Sequence, residues 1–338
     1  MKVSCIAWAP FSDRLDELAD AVGGERKNIH LGYLPKYAAP LKYLFYLLMT
    51  NVYLLNERPD AVYAQNPPPF CPLACILYCR LTGAKLLVDH HNLWHVKGFS
   101  GSVASPFVRA VEAAAARSAD ANTVPHAVWR DELTSMGGKR VMLVHDFVAR
   151  NPNARSEEVR RTVAREGLIG IASGHQGVPE ERVESEAMAA EMTRGVTLAI
   201  TGPPSRLGPR LERLGTLNQV RFLGYLPKRD YEQLKASCDF GLTISDEKNT
   251  VNHVLFEYAA ASLPTVSSRR REIEDVFGDS LVYADSSDPA AVAEKVSWLV
   301  RDPARLREYR RRMAERFSKL VAERSSELSA LAQVLSKA

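Results

Sequence analysis

TISDEKNTVNHVLFEYAAASLPTVSS, residues 243–268, is the stretch from which this fold reads outward. Residues 245–251 are polar and carry no hydrophobic period, as a loop does. Asn252 stands at the N-cap of a helix predicted over 252–261. Pro264 ends that helix, and Thr265 and Val266 open a short apolar strand. A loop that feeds a helix N-terminus presents unpaired backbone N–H groups and so makes an anion site. Asn249, Thr250, Asn252 and His253 stand at that mouth. Glu257 lies more than one turn into the helix, where a carboxylate can receive hydroxyl hydrogen bonds. A phosphate at the mouth and a sugar hydroxyl on Glu257 together describe a bound nucleotide sugar.

The same alternation of apolar strand and helix extends in both directions. Strands are predicted over 168–172, 196–200, 220–223, 240–244, 265–267 and 281–283. An earlier series falls over 3–9, 60–64, 85–89, 121–124 and 141–144. Ser12 can cap the first helix, and Gly23–Gly24 ends it. Continuous apolar strands separated by helices argue for parallel sheets covered on both faces. The arginine-rich segment 150–165 has no hydrophobic run and divides the two series. The reading is α/β: two Rossmann-like, doubly wound domains, 1–150 and 151–318, with an active site expected in the cleft between them. Residues 306–335 read as more than one helix, and 319–338 are expected to pack back on the N-terminal domain.

A chain of 338 residues with 46% hydrophobic content has material for two cores. A net charge of +4 is too small to argue for nucleic acid as a partner. The five cysteines show no secreted-scaffold pattern, which suggests a reducing compartment. No leader is read in residues 1–8, so a cytoplasmic setting is expected. Cys71, Cys75 and Cys79 recur every four residues, as small apolar side chains on one helix face do.

The most hydrophobic run is LKYLFYLLMTNVYLL, residues 41–55, shorter than the ~20 residues of a membrane span. Leu41, Leu44, Phe45, Leu48, Val52 and Leu55 form one helical face. The first expectation packs that face on the sheet. The alternative is partial insertion into a membrane interface over 36–55, with Tyr43, Tyr46 and Tyr53 outward and Lys36 and Lys42 near headgroups.

QNPPP, residues 65–69, follows a strand and sets an extended turn at the C-terminal edge of the sheet, where ligands bind. Asp89, His90, His91 and Asn92 end the strand of the block LTGAKLLVDHHN, residues 81–92. Attack of an acceptor hydroxyl on an anomeric carbon needs a base, and Asp89, His90 or His91 can serve. The opposing reading pairs Asp89 with His90 structurally and leaves His91 to bind sugar hydroxyls. Asn66, Asn92 and His126 are candidate acceptor contacts. A zinc site from His91 and His95 finds no nearby further ligand beyond His90, so no metal is expected. His145 and Asp146 stand at the interdomain crossing.

Two resemblances follow from these residues. Leu255–Phe256–Glu257–Tyr258, the alanines after them and Leu263–Pro264 resemble the donor segment of GT-B glycosyltransferases of family 4. In that family the glutamate at the place of Glu257 holds the nucleotide ribose. Val254 stands where a lysine is usual, Ser262 where a glycine is, and Asn249 where a first glutamate is. The blocks 65–69 and 81–92 resemble the chitobiosyldiphosphodolichol β-mannosyltransferase family. The resemblances imply a GT-B fold and a hexosyltransferase using a nucleotide-diphosphate sugar. They point to a mannose-type sugar, an inverting reaction and a saccharide acceptor, lipid-linked at the cytoplasmic membrane face or soluble. No cofactor or metal is implied. Gly174 and His175 would then approach the diphosphate, with Arg206 as a further cation. Tyr225 and Leu226 would meet the base. Two other readings stay open: a GT-B sugar-nucleotide epimerase, and a catalytically weakened nucleotide-sugar-binding partner subunit.

Overall fold

A computed structural model describes residues 1–32, 38–146, 154–164, 167–173, 182–203, 207–208, 210–285 and 287–336. Lys36, Gly174, His175 and Arg206 lie outside these residues. The chain divides into two units, Met1–Asp146 with Ala322–Ala338, and Phe147–Val321.

In the first unit the elements are β1 (Val3–Ala7), α1 (Asp13–Val22), β2 (Glu25–Asn28), α2 (Ala39–Glu57), β3 (Ala61–Asn66) and α3 (Phe70–Thr82). After them come β4 (Lys85–His90), α4 (Trp94–Lys97), α5 (Ser105–Ser118), β5 (Ala121–Val124), α6 (Ala127–Ser135) and β6 (Val141–Leu143). The strands pair in parallel in the order β2-β1-β3-β4-β5-β6. The sequence reading lacks β2, because its residues ERKN are polar and largely exposed at the sheet edge. Such a strand shows no apolar period. Its backbone pairing with β1 is what makes it a strand.

The faces of this sheet follow the two-residue period of a strand. Val3, Cys5, Tyr63 and Leu87 face α1, and Ile6, Val62, Ala64, Leu86 and Val88 face α2 and α3. The three cysteines of α3 are buried in the second cluster, as expected. Helix α2 is turned the other way from the first expectation, and Tyr46 is not outward as the alternative has it. Tyr46, Thr50 and Leu54 are buried against the sheet, while Leu41, Leu44, Phe45, Leu48, Val52 and Leu55 are exposed. The inward polar groups are satisfied there. Trp8 Nε1 donates to Thr50 Oγ1 at 2.9 Å, and Leu31 N donates to Tyr46 Oη at 3.1 Å. Trp8 also packs between Tyr43 and Tyr46.

The second unit holds α7 (Glu157–Val163), β7 (Leu168–Ser173), α8 (Val183–Glu191), β8 (Val196–Thr201), α9 (Arg210–Gly215) and β9 (Val220–Gly224). Next are α10 (Lys228–Ser237), β10 (Phe240–Thr243), α11 (His253–Ala260), β11 (Thr265–Ser268), α12 (Arg271–Phe277), β12 (Val282–Ala284), α13 (Pro289–Val300) and α14 (Pro303–Ser336). Its sheet is again parallel, in the order β12-β11-β10-β7-β8-β9. The terminal segment is a single helix of 34 residues, not several. Its end belongs to the first unit, where Leu331 and Leu335 join the α1-side core.

Candidate functional site

Two sets of side chains gather at the C-terminal edges of the two sheets. In the first unit the strand period splits the Asp-His-His-Asn run. Asp89 points to the α1 face and His90 to the opposite face, so the two do not pair with each other.

Asp89 is fully buried. Arg14, in the first turn of α1, donates to both its oxygens, with Nη2 2.8 Å from Oδ1 and Nε 3.0 Å from Oδ2. Thr123 donates to the same carboxylate at 2.8 Å, and its hydroxyl lies 2.6 Å from Tyr63 Oη. Burial alone would raise the Asp89 carboxyl. The Arg14 charge and hydrogen bonds outweigh it and hold the group below its ordinary value. Arg14 also donates to Asp146 Oδ1 at 2.9 Å. A buried carboxylate held this firmly is a poor proton acceptor at neutral pH.

His90 is equally buried. Its Nδ1 lies 3.1 Å from Asn66 Nδ2, and its Nε2 lies 3.0 Å from Asn122 Oδ1. This arrangement suits a neutral ring protonated on Nε2. Asn66 Nδ2 also donates to Glu112, a fully buried carboxylate on α5. Glu112 in turn accepts from the backbone of Trp94 at 2.7 Å and contacts His95 Nδ1 at 2.5 Å. His95 Nε2 meets Glu132 at 3.2 Å. His95 is therefore engaged by two carboxylates, and among the described residues no cluster of His, Cys, Asp or Glu is arranged to hold a metal.

His91 is the histidine of the run that reaches the surface, with its side chain 36% exposed. Its Nδ1 lies 3.8 Å from Asp146 Oδ1, and its backbone N–H donates to Asn66 O. Asn92 is also partly exposed. The other two residues expected at the acceptor, Asn66 and His126, are buried, with His126 packed on Trp129 at 5.5 Å. His145 is taken up by the terminal helix, where Glu327 Oε1 lies 2.6 Å from its Nδ1.

In the second unit α11 is pressed on the sheet through Leu255, Phe256, Tyr258 and Ala259. Tyr258 packs so closely on Gly241 that a Cβ there would lie 2.6 Å from its ring. This packing sets the rotation of the helix and leaves Glu257 on the partly open side. Tyr231 donates to Glu257 Oε2 at 2.5 Å, and Lys235 Nζ reaches the same oxygen at 3.3 Å. Lys235 is itself buried and also bonds Glu232 at 2.9 Å. Tyr231 and Lys235 lie one turn apart on α10, a pairing that their sequence distance from Glu257 conceals. Both contacts fall on Oε2, so Oε1 is the oxygen placed to receive hydroxyls.

The loop before α11 departs from the expected capping. Asn252 occupies the N-cap position, but its side chain caps nothing. Its Oδ1 accepts instead from Arg270 Nη2 at 2.8 Å. Arg270 follows β11, so it stands at the same sheet edge. Its side chain is 12% exposed, and among the described residues its Nε meets no hydrogen-bond partner. Burial lowers its pKa against the opposing charges of Glu272, Glu247 and Asp246. Its Nη1 lies 3.5 Å from Glu272 Oε1, and the unmet Nε of this desolvated guanidinium at a helix mouth suits an anion. Arg270 was not legible in the sequence because it sits in the run Arg269–Arg271, which reads as a solvated charge cluster. Asn249 and Ser262 both take left-handed backbone conformations, with φ of 58° and 55°. Ser262 thus holds a backbone conformation that favours glycine. Thr250 is partly exposed and His253 exposed at the same mouth. Tyr225 is 82% exposed after Gly224, and Leu226 packs beside it against the core.

Each half of the chain carries one of these clusters at the carboxyl edge of a doubly wound sheet, the class defined by the GT-B fold. Residues 5–145 match the model of the glycosyl transferase 4-like domain, and residues 182–324 match that of a glycosyl transferase-like domain. The chain belongs to the family 4-like glycosyltransferases and is a glycosyltransferase enzyme. A search of curated proteins finds no match. Among solved structures, sucrose-phosphate synthase from Thermosynechococcus elongatus superposes with a TM-score of 0.82 at 14% identity, covering 100% of each chain. HepE of Anabaena, in complex with UDP and glucose, gives 0.73 at 14% identity and 100% of each chain. WaaG, a glycosyltransferase involved in lipopolysaccharide biosynthesis, gives 0.70 at 12% identity and 99% of each chain. These likenesses establish the fold.

Proposed function

We propose that the enzyme moves a hexose of mannose type from a nucleotide-diphosphate sugar to a saccharide acceptor, with inversion. The observation that carries the donor half is the Glu257 carboxylate, held by Tyr231 and Lys235 through one oxygen and open at the other. That geometry suits a ribose diol. The structures of HepE with UDP and with UDP-glucose support a nucleotide-sugar donor. The blocks 65–69 and 81–92 support mannose and inversion. The acceptor is taken to be lipid-linked, with the enzyme at the cytoplasmic membrane face through residues 36–55.

His91 is assigned the base. It takes the acceptor hydroxyl proton as that oxygen bonds the anomeric carbon, while the bond to the nucleotide diphosphate breaks and the diphosphate leaves with the electron pair. Asp146 and Arg14 orient His91 from behind. The N-terminus of α11 and Arg270 balance the charge of the departing diphosphate, with Gly174 and His175 as further candidates, and no metal is required.

The test is a panel of GDP- and UDP-hexoses with nucleotide release as the signal, with and without chelator. One donor should turn over in both conditions. Glu257→Ala should raise its KM about 10–100-fold, the worth of a hydrogen bond or two to a charged group. His91→Ala should lower kcat about 10²–10⁴-fold with the donor KM held. Full activity in both variants would remove the site assignment, and sugar isomerisation without nucleotide release would replace transfer with epimerisation.

A further inference from the structure

Helix α2 is built inside out. Its polar-tipped side chains are buried and hydrogen-bonded, while Leu41, Leu48 and Leu55 project outward, Leu48 at 55% and Leu55 at 62% exposed. The neighbouring α3 repeats the pattern. Its cysteines face the core, and Leu73, Leu77 and Leu81 form an outward stripe at four-residue spacing, Leu77 at 59% and Leu81 at 77% exposed. The two helices lie side by side, joined by Asn51 Nδ2 donating to Ala74 O at 3.3 Å. The ring of Phe70 then links Tyr43 to the exposed Phe107 of α5, so the apolar face continues onto a third helix. An exposed patch of this extent marks a docking surface.

Charge selects the occupant. Helices α2 and α3 carry one carboxylate between them, Glu57, which is paired with Lys2 at 2.5 Å. The cations Lys42, Arg58 and Arg80 lie on or beside the apolar helices, while Arg109 of α5 pairs with Glu132 at 3.4 Å. Leucines flanked by cations with few opposing carboxylates are complementary to an anionic lipid surface. No described helix is long and apolar enough to cross a membrane, so this face would lie on a bilayer. We infer that the outer faces of α2 and α3, with the start of α5, dock the enzyme on an anionic membrane. This gives the membrane contact of the proposed function its surface, and it does not depend on which sugar is transferred.

The test is co-sedimentation of the full chain with vesicles of equal parts phosphatidylcholine and phosphatidylglycerol, beside vesicles of phosphatidylcholine alone. Nucleotide release is assayed in parallel on the same preparations. The wild type should sediment with the anionic vesicles and much less with the neutral ones. Leu48→Glu with Leu77→Glu changes exposed positions only. It should weaken vesicle binding at least roughly tenfold while soluble nucleotide release is retained. The inference is overturned if the wild type stays in the supernatant, if it binds both vesicles equally, or if the double variant sediments like the wild type. It is also overturned if the wild type is a dimer in solution that the double variant converts to monomer, because a second copy would then cover the face. Loss of turnover with vesicle binding intact would strike the transferase reading instead.

Discussion

Asp89 and His90 are adjacent in the chain, yet each is buried in a different environment and titrates to a different effect. Burial lowers the His90 pKa, and the Asn122 hydrogen bond and the Glu112 and Asp89 charges only partly oppose it. The unfolded chain then takes a proton on this ring near the ordinary histidine value while the folded protein still excludes it. The unfolded state binds more protons, so this group's contribution to stability falls as pH drops through that range. Between about pH 7.5 and 5.5 the wild-type melting temperature should fall more steeply than that of His90→Gln, which has no titrating ring. Parallel curves would mean that His90 titrates alike in the folded and the unfolded chain. Asp89 works lower on the scale. Its folded pKa lies below the ordinary carboxylate value, so its contribution is present above that value and is lost only in stronger acid.

At the scale of elements, α4 shows how a site segment is held. Four residues cannot sustain a helix alone. The segment is fixed because Glu112 accepts from the backbone N–H groups of Trp94 and His95. Glu112→Gln keeps the volume but removes the charge and one acceptor. It should cost about 1–3 kcal/mol, read as a lower urea midpoint with faster amide exchange at Trp94. An unchanged midpoint would show that α4 is held by packing alone. No local signal marks this role, because Glu112 sits in an alanine-rich helix where a lone carboxylate reads as solvated. Helix α2 shows the opposite failure. Its apolar period is plain in the sequence, but period alone does not say whether that face meets the sheet or the outside. The hydrogen bonds of Thr50 and Tyr46 decide it.

At the scale of the molecule, the first unit is completed by the far end of the chain. Leu331 is fully buried among Val3, Cys5, Leu15 and Leu18. Arg324 donates to Glu17 at 2.9 Å, and Glu327 accepts from the His145 N–H at 2.9 Å. Leu331→Ala should cost about 2–5 kcal/mol, as other buried leucines do. In an unfolding experiment that follows Trp8 and Trp129, the loss should fall on the first unit. A loss below 1 kcal/mol would mean that the terminal helix only rests on the surface.

The sequence alone determined the two parallel α/β sheets and the helix and strand around Glu257. Those features are local: strand and helix periods, a proline stop and a motif of adjacent residues. Only the tertiary structure decided that Asp89 is an anchor for Arg14, that Tyr231 and Lys235 hold Glu257, and that Arg270 stands at the mouth of α11. It also decided that the leucines of α2 face outward. Each of these joins residues far apart in the chain, and which partners meet depends on sheet register, helix rotation and burial, which no stretch of sequence contains by itself.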